Sequence, residues 1–303
     1  MEHKLKTRKK GMGKKYAVSY FMLSFWLVIF TVFTLIPVLS SVVLSFSNYN
    51  MLQPPQWNGL NNYLRLLLED DVFVTALKNT LIFAVITGPV GYILSFVVAW
   101  LINDVGNRAR SLFTLLFYSP TLAGNVYFVW LFIFSGDSYG VINGFLIKWG
   151  LLNEPIQWLT DPKYNMGVVI VVILWMSMGA GFLAFVAGLK QLNTSLFEAA
   201  AIDGIRNRWQ ELYYITLPQM VPQLLIGAVL SISGAFAVGN QCSALTGFPS
   251  TDYSTHTLVL HILDYGYNRF EMGYASAVAV VLFAIMLVTW NVINKGLSRL
   301  SGD

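Results

Sequence analysis

The chain has 303 residues, of which 56% are hydrophobic and 11% are charged, with a net charge of +4. Because about a quarter of the residues of a typical soluble protein are charged, this composition excludes an ordinary water-soluble domain. The single cysteine, Cys242, excludes an intramolecular disulfide. It also lacks Cys or His neighbours at the spacing of a metal site, so we expect no bound metal.

The N-terminus is predicted to be a basic cytoplasmic tail, residues 1–15. The apolar run that follows it is longer than the hydrophobic core of a signal peptide, which has about 7–15 residues. We therefore predict a retained membrane anchor, and a single transmembrane domain over residues 16–303.

Six stretches of the sequence contain no Asp, Glu, Lys or Arg. Each is at least as long as the roughly 20 residues that a helix needs to cross the hydrocarbon core of a bilayer. Trimming their polar and Pro-rich ends leaves six spans, near residues 20–46, 79–102, 111–134, 166–189, 217–239 and 272–294. The sequence thus predicts an all-α polytopic membrane protein with six transmembrane helices.

The basic residues predict the orientation, because Lys and Arg concentrate in cytoplasmic loops. Seven lie in the N-terminal tail, two within 104–110, three within 190–216 and two in the C-terminal tail, which places fourteen on one face. The opposite face has five: Arg65, Lys78, Lys148, Lys163 and Arg269. Both termini and the segment 190–216, called the 190–216 loop below, are therefore predicted to be cytoplasmic.

The segments between spans on the outer side are predicted to be folded. Leu60, Leu64, Leu67 and Leu68 have helical spacing and predict an amphipathic helix within residues 47–78. A short helix is predicted within residues 135–165. His256 and His261 are expected to be solvated loop residues, because no carboxylate accompanies them at metal-ligand spacing.

Prolines and small residues within the spans predict local geometry. Pro37 and the pair Gly88-Pro89 predict kinks in the first two spans. Small residues predict close helix packing in the fourth span. They are Gly179, Ala180, Gly181, Ala184, Ala187 and Gly188.

The sequence has no G-x-x-x-x-G-K-[ST] phosphate loop. Ion-driven carriers usually hold an ionisable residue within the membrane, and the six stretches contain no Asp, Glu, Lys or Arg. This weakens, without removing, the alternative of a self-sufficient secondary carrier or channel for a small polar solute. A membrane-embedded enzyme lacks support, because no nucleophile–base pair or metal constellation lies at membrane depth.

The 190–216 loop is the remaining place for an energy input. Ser195 and Glu198 have capping-box spacing and predict a helix start. Gly204 is placed to end that helix, and Asn207 to start a second one. Pro218 suits the first turn of the fifth span. The sequence predicts two short helices hinged at glycine, which would act as a rigid lever.

Three short motifs in this region carry a resemblance to a known family. Glu198-Ala199-Ala200, Asp203-Gly204 and Ile215-Thr216-Leu217-Pro218 resemble the EAA signature of the permease subunits of binding-protein-dependent ABC importers. The chain is most similar to the carbohydrate-importer branch, which includes the maltose and glycerol-3-phosphate permeases. Further matching motifs are Gly59-Leu60-Asn61-Asn62-Tyr63, Leu77-Lys78-Asn79-Thr80, Thr160-Asp161-Pro162 and Met272-Gly273-Tyr274-Ala275-Ser276-Ala277.

The resemblance implies a type I ABC importer (MetI-like) permease fold in the cell membrane, and import of a sugar or oligosaccharide. It implies a second homologous permease, two ATP-binding subunits on the cytoplasmic side and an extracytoplasmic solute-binding protein. The chain itself would bind no cofactor and would not be an enzyme, because the partner ATPase subunits bind ATP and Mg. It would contact lipid but no nucleic acid. The residues implied to couple to the ATPase are Glu198, Ala199, Ala200, Asp203 and Gly204.

The chain departs from the family pattern at three places. Leu192-Asn193 stands where the family usually has Ile-Pro, and Ile205 stands where Ala usually follows Asp-Gly. The Gly-Gly-Pro common after the fifth span is Gly247-Phe248-Pro249.

A sugar site needs aromatic faces together with amides or hydroxyls. Candidates for the substrate pathway are Asn125, Tyr127, Trp130, Trp175, Ser177, Asn240 and Gln241. The alternative stays open for each of them, since Trp and Tyr populate interfacial belts, and Ser and Asn bond neighbouring helices.

Overall fold

A computed structural model describes residues 17–124 and 126–298, and these residues are mostly helical. The helices of the first half are α1 Ala17–Phe30, α2 Ile36–Leu44, α3 Asn61–Leu68, α4 Asp71–Asn103, α5 Asn107–Leu122, α6 Tyr127–Ile133, α7 Val141–Lys148 and α8 Asn165–Trp175. Those of the second half are α9 Ala180–Lys190, α10 Thr194–Ile202, α11 Arg208–Glu211, α12 Leu217–Gln219, α13 Val221–Phe236, α14 Asn240–Thr246, α15 Leu258–Leu263 and α16 Met272–Ser298.

Short irregular elements complete the described chain. Strands β1 Ser47–Asn48 and β2 Gln56–Trp57 pair antiparallel in a hairpin. A 3-10 turn covers Thr251–Tyr253. π-helical turns lie at Thr31–Leu35, Leu212–Thr216 and Asp264–Asn268. The predicted basic tail, residues 1–15, lies outside the described residues.

Four of the six predicted spans coincide with long apolar helices, and the other two coincide with bent helix pairs. Four helices within the described residues are long and apolar enough to cross a membrane. They are Ser19–Leu44, Asp71–Asn103, Asn165–Lys190 and Met272–Gly296. Two bent pairs, Asn107–Leu122 with Tyr127–Ile133 (87°) and Arg208–Gln219 with Val221–Phe236 (81°), raise the number to six if each is one span. The chain is therefore a multi-pass membrane protein.

Prolines account for much of the irregular helix geometry. Pro37 and Pro218 each lie two residues after a π-helical turn. A proline has no N–H to donate and its ring collides with the carbonyl four residues earlier, so a wider turn relieves both problems. Pro222 cannot donate to the carbonyl of Pro218, and the chain bends there. Helix α4 is continuous through Pro89, and the kink predicted at Gly88-Pro89 stays a prediction.

Helix α4 is the axis of the bundle. Its 33 residues extend over about 50 Å at 1.5 Å per residue. It packs against α8, α9, α13 and α15. It also contributes to three buried clusters: Phe73, Ala76 and Ala84 to one, Phe83 to the second, and Phe96, Ala99 and Ile102 to the third.

The two ends of α4 define the two ends of the bundle. The C-terminal end lies beside the 190–216 loop and is called the loop end. The N-terminal end lies beside α3 and the β1–β2 hairpin and is called the hairpin end. There the Asn62 amide donates to the backbone oxygens of Ser45 (2.8 Å) and Ser47 (2.9 Å), which fixes the hairpin on α3.

Both helices predicted in the long connecting segments are present, as α3 and α7. The leucines on the exposed side of α3 leave an apolar stripe uncovered, as an interfacial helix requires. Within α7, the buried Asn143 side chain holds the following segment in place. Its amide oxygen accepts from Ile156 N (3.1 Å) and Trp158 Nε1 (2.8 Å), and its nitrogen donates to the oxygen of Ile156 (3.0 Å).

Small residues bring α9 and α13 close together, as the composition of the fourth span predicts. A Cβ on Gly227 of α13 would lie 2.3 Å from Cζ of Phe185, and a Cβ on Gly181 would lie 3.7 Å from Cα of Gly227. The ring of Phe185 has no room to retreat, because it is buried and packs edge-on against Tyr92 and Phe96.

We expect Gly227→Ala to lower the melting temperature Tm of the purified protein by several degrees, because the added methyl group collides with a fixed aromatic ring. Gly234→Ala is the matched control in the same helix, since a Cβ there meets nothing within 4 Å. Alanine favours a helix over glycine by about 1 kcal/mol, so the control should keep or raise Tm. Equal Tm values in thermal unfolding of the two variants would contradict the close packing.

Candidate functional site

The 190–216 loop begins with a well-capped helix. Asn193 is the N-cap of α10, and its Oδ1 accepts hydrogen bonds from the backbone N (3.0 Å) and the hydroxyl (2.9 Å) of Ser195. The predicted capping box is therefore wrong in its register, because the N-cap Asn193 lies two residues before the predicted cap Ser195, and Glu198 lies beyond the first turn. The asparagine that replaces the family's proline supplies the cap itself.

The end of α10 is a Schellman motif centred on Gly204, which has φ +95°. The N–H of Ile205 donates to the oxygen of Ala200 (3.0 Å), and that of Gly204 to the oxygen of Ala201 (3.4 Å). An apolar residue commonly follows the glycine of this motif, and Ile205 is half-buried in that place. The prediction that Gly204 ends the helix is confirmed. The motif also explains why an apolar residue, Ile205, follows the glycine.

The second short helix also starts where the sequence predicts. Asn207 Oδ1 accepts from Trp209 N (3.0 Å) and caps α11. Pro218, however, lies in the short α12 before the 81° bend, rather than in the first turn of the straight helix α13.

Five exposed residues at the end of α10 and directly after it are together called the docking face. They are Glu198, Ala199, Ile202, Asp203 and Gly204. The side chain of Ile202 is 87% exposed. Glu198 forms no ion pair among the described residues. Ala200, predicted with this set, is buried and faces the chain's own interior.

Leucines fix this loop to the bundle. Leu192, Leu212 and Leu217 pack against the buried cluster that contains Phe96 of α4 and Phe182 of α9. The 190–216 loop thus packs against α4 and α9, and these two helices also line a cavity.

That cavity has a volume of about 360 Å³. Its walls come from α4, α5, α8, α9, α13 and α14. The polar side chains that line it are Thr87, Tyr92, Ser95, Thr121, Ser177, Ser231 and Gln241. Ser177 and Gln241 are therefore the two predicted pathway residues that the structure places at this cavity.

Four of the other predicted pathway residues lie away from this cavity. Trp130 and Trp175 pack edge to face with ring centroids 5.2 Å apart, and Tyr127 and Trp130 pack against a buried cluster near α8. Asn240 is exposed at the start of α14. Asn125 lies outside the described residues. The tryptophans are thus positioned to hold helices together.

Most of the cavity's hydroxyl groups are bound to backbone oxygens. Ser95 donates to the oxygens of Gly91 (2.7 Å) and Ser177 (3.1 Å), and Tyr92 donates to that of Leu224 (3.1 Å). By contrast, the buried Ser177 hydroxyl has no partner among the described residues. The sequence prediction missed Tyr92 and Ser95, since only packing decides which side of α4 faces the cavity.

A buried polar cluster lies at the hairpin end, and its centre is Asp70. The carboxylate caps α4 by accepting from Phe73 N (2.8 Å). Its second oxygen accepts from the hydroxyls of Tyr274 (2.6 Å) and Tyr265 (3.1 Å) and pairs with Nε2 of His261 (3.2 Å). Burial acts to raise the pKa of Asp70, but the hydrogen bonds, from Tyr274 first, outweigh it and hold that pKa below the usual 3.8.

The prediction that His256 and His261 are solvated loop residues is wrong. Each is only 1% exposed. A carboxylate does accompany His261, but it comes from Asp70, 191 residues away in the sequence, and no local pattern reveals that pairing. The ring of His256 stacks on the ring of Phe248, with the two centroids 5.9 Å apart. This contact gives a structural role to Phe248, which departs from the family's Gly-Gly-Pro pattern.

The two histidines differ in how their ring nitrogens are satisfied. Neither nitrogen of His256 has a partner among the described residues. Burial, and next the neighbouring His261, lower the pKa of His256 to about 4. Burial also lowers the pKa of His261, although Asp70 opposes that effect. The described residues contain no group of three or more His, Cys, Asp or Glu side chains placed to hold a metal ion.

Comparison with known proteins was made for both sequence and structure. Residues 91–299 match the family described as "Binding-protein-dependent transport system inner membrane component". The probable ABC transporter permease protein YesP of Bacillus subtilis (strain 168) is 30% identical over 283 residues, covering 92% of this chain and 90% of the relative. The lactose transport system permease protein LacF of Rhizobium radiobacter is 31% identical over 266 residues, covering 86% and 87%.

A solved structure has the same fold. It is a chain of a bacterial ABC transporter involved in the import of the acidic polysaccharide alginate, with a TM-score of 0.77 and 25% identity. The match covers 95% of this chain and 97% of that one.

The helical bundle, its cavity and the attached docking face define a membrane subunit of a transporter. The family match covers more than half of the sequence. The chain belongs to the family of binding-protein-dependent transport system inner membrane components.

The hairpin-end cluster predicts how stability depends on pH. Because the folded pKa of His256, about 4, lies below the ordinary 6.5, the unfolded chain takes up a proton first on acidification, and stability falls as the pH drops from about 6.5 to about 4. We expect His256→Phe, which keeps the stacked ring and removes two unpartnered nitrogens, to raise Tm by about 2–4 °C at pH 7. Between pH 7 and pH 5, the Tm of the variant should also fall by less than the Tm of the wild type.

His261→Phe is the contrasting variant, since it takes a partner from the buried Asp70 carboxylate and should lower Tm. The depressed pKa of Asp70 acts only below 3.8, outside this pH range. The measurement is thermal unfolding in detergent. An unchanged pH dependence in His256→Phe would contradict a buried neutral His256.

Proposed function

We propose that the chain is one of two permease subunits of an ATP-driven importer for a sugar or oligosaccharide. It has six spans in the cell membrane, with both termini and the 190–216 loop in the cytoplasm. The excess of Lys and Arg on that face supports this orientation. The substrate class is supported by relatives named as permeases for lactose and arabinooligosaccharides, and by the alginate importer.

The docking face is the observation that carries this proposal. It offers a carboxylate without an ion-pair partner among the described residues, next to an isoleucine that is 87% exposed. The same residues carry the motif that resembles the ATPase-coupling segment of binding-protein-dependent ABC importer permeases. The covering partner is an ATPase subunit, contacted by Glu198, Ala199, Asp203 and Gly204, with Ala200 supporting the helix from beneath.

The partner ATPase subunits hold ATP and Mg, and this chain has no ATPase site of its own. Movement of these subunits pushes the docking face. The leucines transmit that movement to α4 and α9, which line the cavity. The cavity is then exposed alternately to the two sides of the membrane, and a solute-binding protein delivers the sugar from outside.

The polar side of the cavity is suited to sugar hydroxyls. The Ser177 hydroxyl has no partner among the described residues, and Gln241 lines the same cavity. The second, homologous permease supplies the facing wall. Trp130 and Trp175 act in this proposal by holding α6 against α8.

Reconstitution in vesicles tests the function. The chain alone should give no uptake of labelled oligosaccharide with or without ATP, because it has no energy input. The complex purified from native membranes through a tag on this chain should take up the sugar when ATP and the binding protein are supplied. Uptake by the chain alone would overturn the proposal in favour of a self-sufficient carrier or channel.

The Schellman turn tests the coupling role of the docking face. Gly204→Ala forces a residue with a Cβ into φ +95°, at a cost of about 1–2 kcal/mol. A Cβ at this position touches nothing within 4 Å, so the change acts on the backbone alone. We expect ATP hydrolysis stimulated by the sugar-loaded binding protein to fall about fivefold or more.

Gly106→Ala is the matched control at the other turn of the loop end. Gly106 has φ −56°, and a Cβ there also meets nothing within 4 Å. The control should hydrolyse ATP at the wild-type rate. Wild-type stimulation in Gly204→Ala would remove the docking face from the coupling mechanism.

A further inference from the structure

A second contact joins the 190–216 loop to the bundle and involves α11. The guanidinium of Arg208 in α11 forms an ion pair with the carboxylate of Asp104, the residue that ends α4. Cζ of Arg208 also lies 5.0 Å from the ring centroid of Trp100, and the rings of Trp100 and Trp209 are 5.3 Å apart. Arg208 and Trp209 of α11 thus contact the last turn of α4.

The turn that carries Asp104 is itself held in place. Arg110 of α5 donates to the backbone oxygens of Asn103 and Val105, the latter at 3.3 Å. The backbone N–H of Asp104 donates to the oxygen of Ile102. Asp104 therefore has little freedom to follow Arg208 by local rearrangement, and a displacement of α11 must move the end of α4.

Hydrogen bonds join the N-terminal half of α4 to the segment before α15 and to the first residue of α15. The Asn79 amide donates to the backbone oxygens of Tyr253 and His256, both at 2.9 Å. The Thr80 hydroxyl accepts from Leu258 N at 2.9 Å. Between these ends, α4 lines the cavity with Thr87, Gly91, Tyr92 and Ser95.

We propose that Arg208, Asp104 and Trp100 form a transmission contact that makes α4 follow the 190–216 loop during transport. This inference rests on the proposed function and adds positioning residues to it. Because α4 is continuous, the same displacement reaches the cavity wall and the segment at the hairpin end. The pair thereby synchronises cytoplasmic movement with the outer side of the pathway.

The energetics favour a positioning role over a stabilising one. The side chains of Arg208 and Asp104 are 52% and 39% exposed, and ion pairs this exposed to solvent contribute little to stability. Their geometry is nevertheless specific, because the guanidinium is stacked on an indole while it meets the carboxylate.

The test measures the number of sugar molecules transported per ATP hydrolysed, in the complete complex in vesicles. Asp104→Arg and Arg208→Asp should each lower this ratio about tenfold, while Tm and the amount of assembled complex stay unchanged. The double variant with the charges exchanged should recover most of the ratio, because the ion pair is restored. A structural effect without a coupling role would change Tm or assembly and leave the ratio intact.

Arg108→Asp is the matched control for Arg208→Asp, since it makes the same charge change at a nearby residue that has no ion pair among the described residues. It should keep the wild-type ratio. A normal ratio in both single variants, or no recovery in the exchanged pair, would overturn the transmission contact. Failure of the proposed function is distinguishable, because the wild-type complex would then show no ATP-driven uptake.

Discussion

The constraint on which the rest of the structure depends is the continuity of α4. A segment inside a bilayer must satisfy its backbone hydrogen bonds within the protein, so most breaks in a helix need a neighbour to repair them. The break between α8 and α9 is bridged in this way, because Ser95 of α4 donates to the backbone oxygen of Ser177, which also accepts from Gly179 N. All three buried clusters include residues of α4. An unbroken central helix thus allows irregular ones around it.

The same arrangement explains how a small loop can act on a distant cavity. The docking face itself has few contacts with the bundle, and its rigidity comes from the Asn193 cap and the Gly204 turn. Leucines then join it to the cluster that contains Phe96 and Phe182. A rigid lever on a packed base transmits displacement, whereas a flexible loop would absorb it.

The hairpin end shows how the chain stabilises polar groups that are buried. Asp70 is buried, and a helix N–H, two tyrosine hydroxyls and a histidine satisfy its carboxylate. An unpaired buried carboxylate would be strongly destabilising, so these partners fix α4, α15 and α16 relative to one another. His256 is the exception, because its nitrogens have no partners among the described residues and only its ring packs.

The sequence by itself determined the positions of the spans, because solvation by hydrocarbon depends on composition within about 20 residues. It also determined the turn at Gly204 and the cap at Asn207, since both are local backbone requirements. It misplaced the first cap, because Asn193 and Ser195 compete for the same role within three residues. Only the tertiary structure decided how each helix is rotated about its axis. That rotation places Tyr92 at the cavity, pairs Trp130 with Trp175, and brings His261 to Asp70 and Arg208 to Asp104. Helix rotation depends on the neighbours a helix packs against, which lie far away in the sequence.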